Sequence, residues 1–172
     1  LTDLAGAEPT PLEGSEKFVL KFPHPVLDSF IRSFGVIHEL AIHPETKVME
    51  EYLVRTWRQL DLGPEPTDHD GIALMRLALQ AQLPEKQKAV IEAFQNLPDI
   101  DKEDLRCEMA RTGIYGQAFQ RGPEFQAYMG PTFLVYYSPA FVRMLCPHQA
   151  KEALIMLAEV YRRARRLWPL RP

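Results

Sequence analysis

Two cysteines in 172 residues, Cys107 and Cys146, are too few for a disulfide framework and fit a reducing compartment. They form no C-x-x-C pair, and no Cys/His spacing suggests zinc. No apolar run approaches the roughly 20 residues that a membrane helix needs, so no stable membrane insertion is expected. The opening stretch LTDLAGAEPTPLEGSEKF lacks the charged start and apolar core of a secretory signal. Positive charge is not in excess: the formal net charge is −3, which argues against nucleic acid as a bulk partner. Catalytic signatures are missing too. G-x-S-x-G, the P-loop, the dinucleotide glycine pattern, H-E-x-x-H and the E-x-x-H pairs of di-iron bundles do not occur. The five histidines (His24, His38, His43, His69 and His148) are scattered, and His38 and His43 do not share a helical face cleanly. The expectation is a protein that is not an enzyme and holds neither metal nor cofactor.

What is present is helical periodicity. The hydrophobic share of 46% and charged share of 25% are those of a soluble globular chain, long enough for a sizeable core. Residues 1–16 are rich in Pro, Gly, Glu and Thr and read as a flexible arm, with an all-helical domain over 17–172. FVLKF at 18–22 alternates like a short strand. Val26, Leu27, Phe30, Ile31 and Phe34 then make one helical face, which Gly35 can close. Pro44 suits a first helical position, and Met49, Tyr52, Leu53, Thr56, Trp57 and Leu60 give the next stripe, ended by Gly63-Pro64.

GIALMRLALQAQL is apolar on more than one side, so a helix over about 68–83 is expected to be central and buried. Pro84 opens a further helix, with Ala89, Val90, Ala93, Phe94 and Leu97 inward and Pro98 stopping it. Asp101 with Asp104 has the pattern of a cap ahead of Leu105 and Met109. Ile114, Tyr115, Ala118 and Phe119 follow, and residues 131–147 read as two short buried helices broken at Ser138-Pro139. In the last helix Ala150, Leu154, Leu157, Tyr161 and Trp168 share a face. Arg162, Arg163, Arg165 and Arg166 read as its solvated, dipole-complementing side. The fold class is all-α: a helical bundle joined by short Pro/Gly turns.

EPTDHD, residues 65–70, carries two readings. As a helix start, Thr67 is the N-cap and Asp70, three residues on, completes a capping box, with Asp68 and Asp70 on the positive end of the helix dipole. Pro66 would end the preceding loop without losing a needed helical donor, but that reading leaves the pair Glu65 and His69, and the need for both Pro64 and Pro66, without account. As a binding site, Glu65, Asp68 and Asp70 offer carboxylates to guanidinium groups. His69, with an unperturbed pKa near 6.5, adds a pH-sensitive donor or acceptor.

E-P-x-D-H between an amphipathic helix and a buried helix resembles the TorD/DmsD/NarJ family, cytoplasmic chaperones that mature molybdenum-containing reductases. The likeness covers the helix ETKVMEEYLVRTWRQLDL, the loop GPEPTDHDG and the helix IALMRLALQAQL, with Glu65, Pro66, Asp68 and His69 at the family's positions. Asp70 stands where the family usually has an apolar residue. The N-terminal part is shorter than the family's, and RGPEFQAYMGPTFLVYYSPAFVRML matches its C-terminal half loosely. The resemblance implies an all-helical cytoplasmic protein that binds the twin-arginine signal peptide of an apo-molybdoenzyme while its cofactor is inserted. The peptide site would be Glu65, Pro66, Asp68, His69 and Asp70, on a monomer or a domain-swapped dimer. The rival expectation is a helical interaction or scaffold domain, a fragment of a larger protein.

Overall fold

The computed structural model describes residues 24–109, 111–112, 117–118 and 140–169. The arm at 1–16, the FVLKF strand, and most of the 113–139 stretch lie outside the described residues. The chain divides into two units, Leu1–His43 and Pro44–Pro172.

In the first unit α1 spans His24–Ile42. The expected stop at Gly35 does not occur. A side chain at Gly35 would meet nothing within 4 Å, and the helix runs on through Val36 to Ile42. A glycine inside a helix costs only about 1 kcal/mol relative to alanine, which the flanking helical residues offset. Ile31, Phe34, Ile37, Leu40 and Ile42 are all exposed, so α1 presents apolar surface on several sides. Its last turn closes with the His43 amide donating to the Glu39 carbonyl at 2.8 Å.

The second unit is an all-α bundle. α2 is Glu45–Gln59, α3 Gly71–Gln80, α4 Pro84–Gln95, α5 Asp99–Met109 and α6 Ala150–Leu167. A helical stretch at 140–144 and a 3₁₀ turn, Pro147–Gln149, lead into α6. Among the described residues the extended pairing is confined to Arg111–Thr112 against Gln117–Ala118, antiparallel. No helix among them is long and apolar enough to cross a membrane.

α3 is the core helix, as its pattern requires. Ile72, Met75, Leu77 and Ala78 are fully buried, and α2, α4 and α5 pack around it. The helix is shorter than its apolar run, because residues 68–70 form a turn and Gln82 takes a left-handed φ of 62°. α4 starts with Pro84 in its first turn and buries Val90, Ala93 and Phe94, with Leu97 just beyond. α2 begins one residue after Pro44, which acts as its N-cap. Its buried face is Val48, Leu53 and Trp57, rotated from the expected stripe: Tyr52 and Leu60 face solvent. α6 closes the bundle on α4 and α5, with Ala150, Leu154, Leu157 and Tyr161 inward as expected. Trp168, expected on that face, is 51% exposed, because the helix ends at Leu167 and the backbone leaves the α region there.

Candidate functional site

The loop from Leu60 to Asp70 joins α2 to α3 and carries the EPTDHD cluster. Its shape starts in the backbone. Asp61 (φ 49°) and Gly63 (φ 100°) both adopt left-handed conformations, reversing the chain after α2. Two side chains of α2 then hold the loop. The buried Trp57 donates from Nε1 to the Gly63 carbonyl at 3.1 Å. Arg58 donates to Oε2 of Glu65 from Nη2 at 2.6 Å and from Nε at 3.1 Å. Leu62 tucks its side chain against the core between these anchors.

At the far end the loop enters α3 through a turn in which the Gly71 amide donates to the Asp68 carbonyl at 3.1 Å. Gly71 is required there, because a Cβ would stand 2.8 Å from the Pro66 carbonyl oxygen. The capping box is not formed. Asp70 occupies the N-cap position in an α-helical conformation, with no side-chain cap hydrogen bond, and Thr67 lies outside the helix and exposed. Proline at 66 and the close approach of its carbonyl to Gly71 move the helix start past Thr67. Asp70 instead faces Arg106 of α5, Oδ1 to Nη1 at 3.7 Å, and His69, Oδ1 to Nε2 at 3.9 Å. Arg106 also pairs with Glu103 on its own helix. Its Nε is buried and has no hydrogen-bond partner among the described residues.

The five candidate residues thus share one loop but differ in availability. Glu65 and Asp70 are half-buried and each has an arginine of the bundle beside it. Pro66 is half-buried against the start of α3. Asp68 and His69 are exposed at the tip, where a ligand can reach them. Arg58 itself is 69% exposed and Glu65 17%, so the pair has one wet partner.

A second ionic cluster escaped the sequence reading. Arg162 and Arg165 of α6 are not on a solvated face; they cross to α5. Arg162 donates to Asp101 at 2.6 Å and to Asp104 at 2.7 Å, and it also bonds Glu159. Arg165 pairs with Glu108, which is almost fully buried. Asp101 and Asp104, expected to cap α5, are therefore the acceptors of Arg162, and α5 begins earlier, at Asp99. The hydrogen bond it donates to Asp101 is the main influence that raises the Arg162 guanidinium above its ordinary value, so it stays charged at any working pH. Only Arg163 and Arg166 of the four arginines are exposed, and Arg163 bonds Glu159 at 2.6 Å. The signal available in sequence was the acidic face of DIDKEDLRCEM, opposite in charge to RRARR.

Among the described residues no group of three His, Cys, Asp or Glu side chains is placed to hold a metal ion. Cys107 is half-buried, its Sγ 3.2 Å from a Glu103 carboxylate oxygen, and Cys146 is exposed. The chain matches no protein-family model, no curated protein and no solved structure.

Proposed function

We propose that the chain is a cytoplasmic, non-catalytic chaperone of the TorD/DmsD/NarJ kind, which holds the twin-arginine leader of an apo-molybdoenzyme at the loop 65–70. The observation that carries the reading is the Arg58–Glu65 pair. An arginine already sits in the geometry that a client arginine would take, on a carboxylate fixed by a loop that Trp57 anchors. A ligand guanidinium that displaces the exposed Arg58 exchanges one pair for another, so the half-buried Glu65 carboxylate is never left without a partner. The second arginine of the pair finds Asp68 at the exposed tip, with His69 beside it.

The test is calorimetric titration of the full chain with a peptide containing two adjacent arginines followed by an apolar stretch. Glu65→Gln and Asp68→Asn should each weaken binding, and His69→Ala should change its pH dependence. Arg58→Gln should strengthen binding, because it removes the internal competitor. If neither Glu65→Gln nor Asp68→Asn alters the affinity at low salt, the loop is only the entry to α3 and the chaperone reading fails. The other reading, a helical interaction or scaffold domain, draws on the exposed apolar residues of α1. It expects that peptide to bind no better than a scrambled control.

A further inference from the structure

α6 has a second apolar face besides the one in the core. Gln149 (just ahead of the helix), Ala153, Met156, Val160, Arg163 and Leu167 recur alternately four and three residues apart. That is the 3.5-residue repeat by which one helix seams onto another. Met156, Val160 and Leu167 on this seam are 53%, 51% and 73% exposed, and Trp168 follows directly. The core is filled from the other side of the same helix, and Met156, Val160 and Leu167 stay largely exposed.

The two ends of the seam are unlike each other. The amino-terminal half borders an apolar groove of about 600 Å³, which Phe141, Met144 and Cys146 complete. The carboxy-terminal half has the exposed Leu167 and Trp168. Charge divides the same way: Glu152 flanks the seam at its start, and Arg166 flanks it on the same side two heptads later. Each end is what the other would bind.

We propose that two copies of the chain pair through an antiparallel α6–α6 seam about a two-fold axis. Reversal maps the seam onto itself, as an isologous interface requires. Met156 meets the partner's Val160, and Gln149 meets the partner's Leu167. Ala153 leaves room for the aliphatic stem of the partner's Arg163. Leu167 and Trp168 of each copy enter the groove of the other, and Glu152 of each faces the partner's Arg166, so every favourable contact occurs twice. Parallel pairing would keep Glu152 and Arg166 at opposite ends of the seam and leave both grooves unfilled. Glu159 lies near the axis in the antiparallel arrangement, and Arg162 and Arg163 of its own helix neutralise it there. A client peptide or a lipid surface would use the apolar residues equally well, but neither accounts for a seam complementary to itself on reversal.

Sedimentation of the full chain from low to high micromolar concentration should show a reversible dimer. Met156→Glu should weaken it by at least about tenfold, the effect of a charge in an apolar seam, with unchanged helical content. Glu152→Arg should weaken it as well, and adding Arg166→Glu to that variant should restore it. With Leu167→Cys, mild oxidation should link position 167 of one copy to Cys146 of the other, and Cys146→Ser should abolish the link. A monomer at every concentration overturns the proposal, as does a dimer indifferent to both Met156→Glu and the charge exchange. A dimer that forms without the cross-link overturns the antiparallel register.

Discussion

Arg165 reaches from α6 to Glu108 on α5, Nη2 to Oε2 at 2.7 Å, while the other carboxylate oxygen accepts from Nε. The Glu108 side chain is 4% exposed and that of Arg165 16%, so this two-point pair is largely removed from water. Such a pair holds the packing of two helices in register, but its net contribution is set by the desolvation of both charges. Breaking one half is therefore far worse than replacing both.

Arg165→Met should destabilise the bundle by about 3–5 kcal/mol, because it strands a buried carboxylate. Arg165→Met with Glu108→Leu should recover most of that loss, since the two apolar side chains pack where the ions stood. Urea unfolding of the two single variants and the double variant measures the difference. A double variant no more stable than Arg165→Met would show that α5 and α6 depend on the charges themselves.

The acid limb of stability should report Glu159. The hydrogen bond from Arg163 is the first of the influences that hold its carboxyl below the usual carboxylate range, with Arg162 adding to it. A folded-state pKa below the unfolded one stabilises the protein above the unfolded value, near 4.5, and the contribution is lost as pH falls through the folded value. Arg163→Gln should move the Glu159 titration upward and flatten stability against pH in that acid window, so that the loss is present at neutral pH and vanishes below the folded value. Carboxyl-carbon chemical shifts followed between pH 2 and 6 would check the direction, on the scale of the ordinary carboxylate range.

The all-α class, the burial of α3 and the opening of α4 at Pro84 were legible because each follows from apolar spacing or from a proline at a helix start. The ends of elements were not. Gly35 is a stop signal only if the following residues cannot continue a helix, and Val36 to Ile42 can. The arginines of α6 looked solvated because a single helix shows its polar face but not what faces it. Only the fold brings Asp101, Asp104 and Glu108 opposite Arg162 and Arg165. In the loop, the carboxylates at 65–70 announced positively charged neighbours. That bundle arginines sit beside Glu65 and Asp70 depends on Arg58 and Arg106, residues no local pattern connects to them.

Thr67→Ala should change stability by less than about 0.5 kcal/mol, the range of an ordinary surface substitution, because its hydroxyl caps nothing. A loss near 1 kcal/mol, the value of a formed N-cap, would mean that the helix starts earlier in solution. Trp57→Phe keeps a buried aromatic ring but removes the Nε1 donor to Gly63 together with the second ring of the indole. It should cost more than the roughly 1 kcal/mol of one net hydrogen bond, because the lost ring atoms leave a cavity. It should also speed amide exchange across residues 61–70, where local opening no longer has to break that tie.

Two glycines give the sharpest contrast. At Gly71 a methyl group would lie 2.8 Å from the carbonyl oxygen of Pro66, with the carbonyl carbon at 3.2 Å and the proline Cβ at 3.3 Å. These are atoms of a ring-constrained residue and its backbone, not the far end of a flexible side chain, so the loop has to give way. Gly71→Ala should cost about 1–3 kcal/mol, the scale of overpacking in a tight site, and should shift the chemical shifts of Asp68 and His69. At Gly35 nothing stands within 4 Å of the added carbon, and the backbone is helical on both sides. Gly35→Ala should stabilise α1 by about 0.5–1 kcal/mol, chiefly by restricting the unfolded chain. Thermal unfolding and helical content distinguish the cases. Equal and opposite effects are not required, but the signs are. A stabilising Gly71→Ala would mean that α3 does not begin against Pro66, and the loop that presents Asp68 and His69 would then have a different shape.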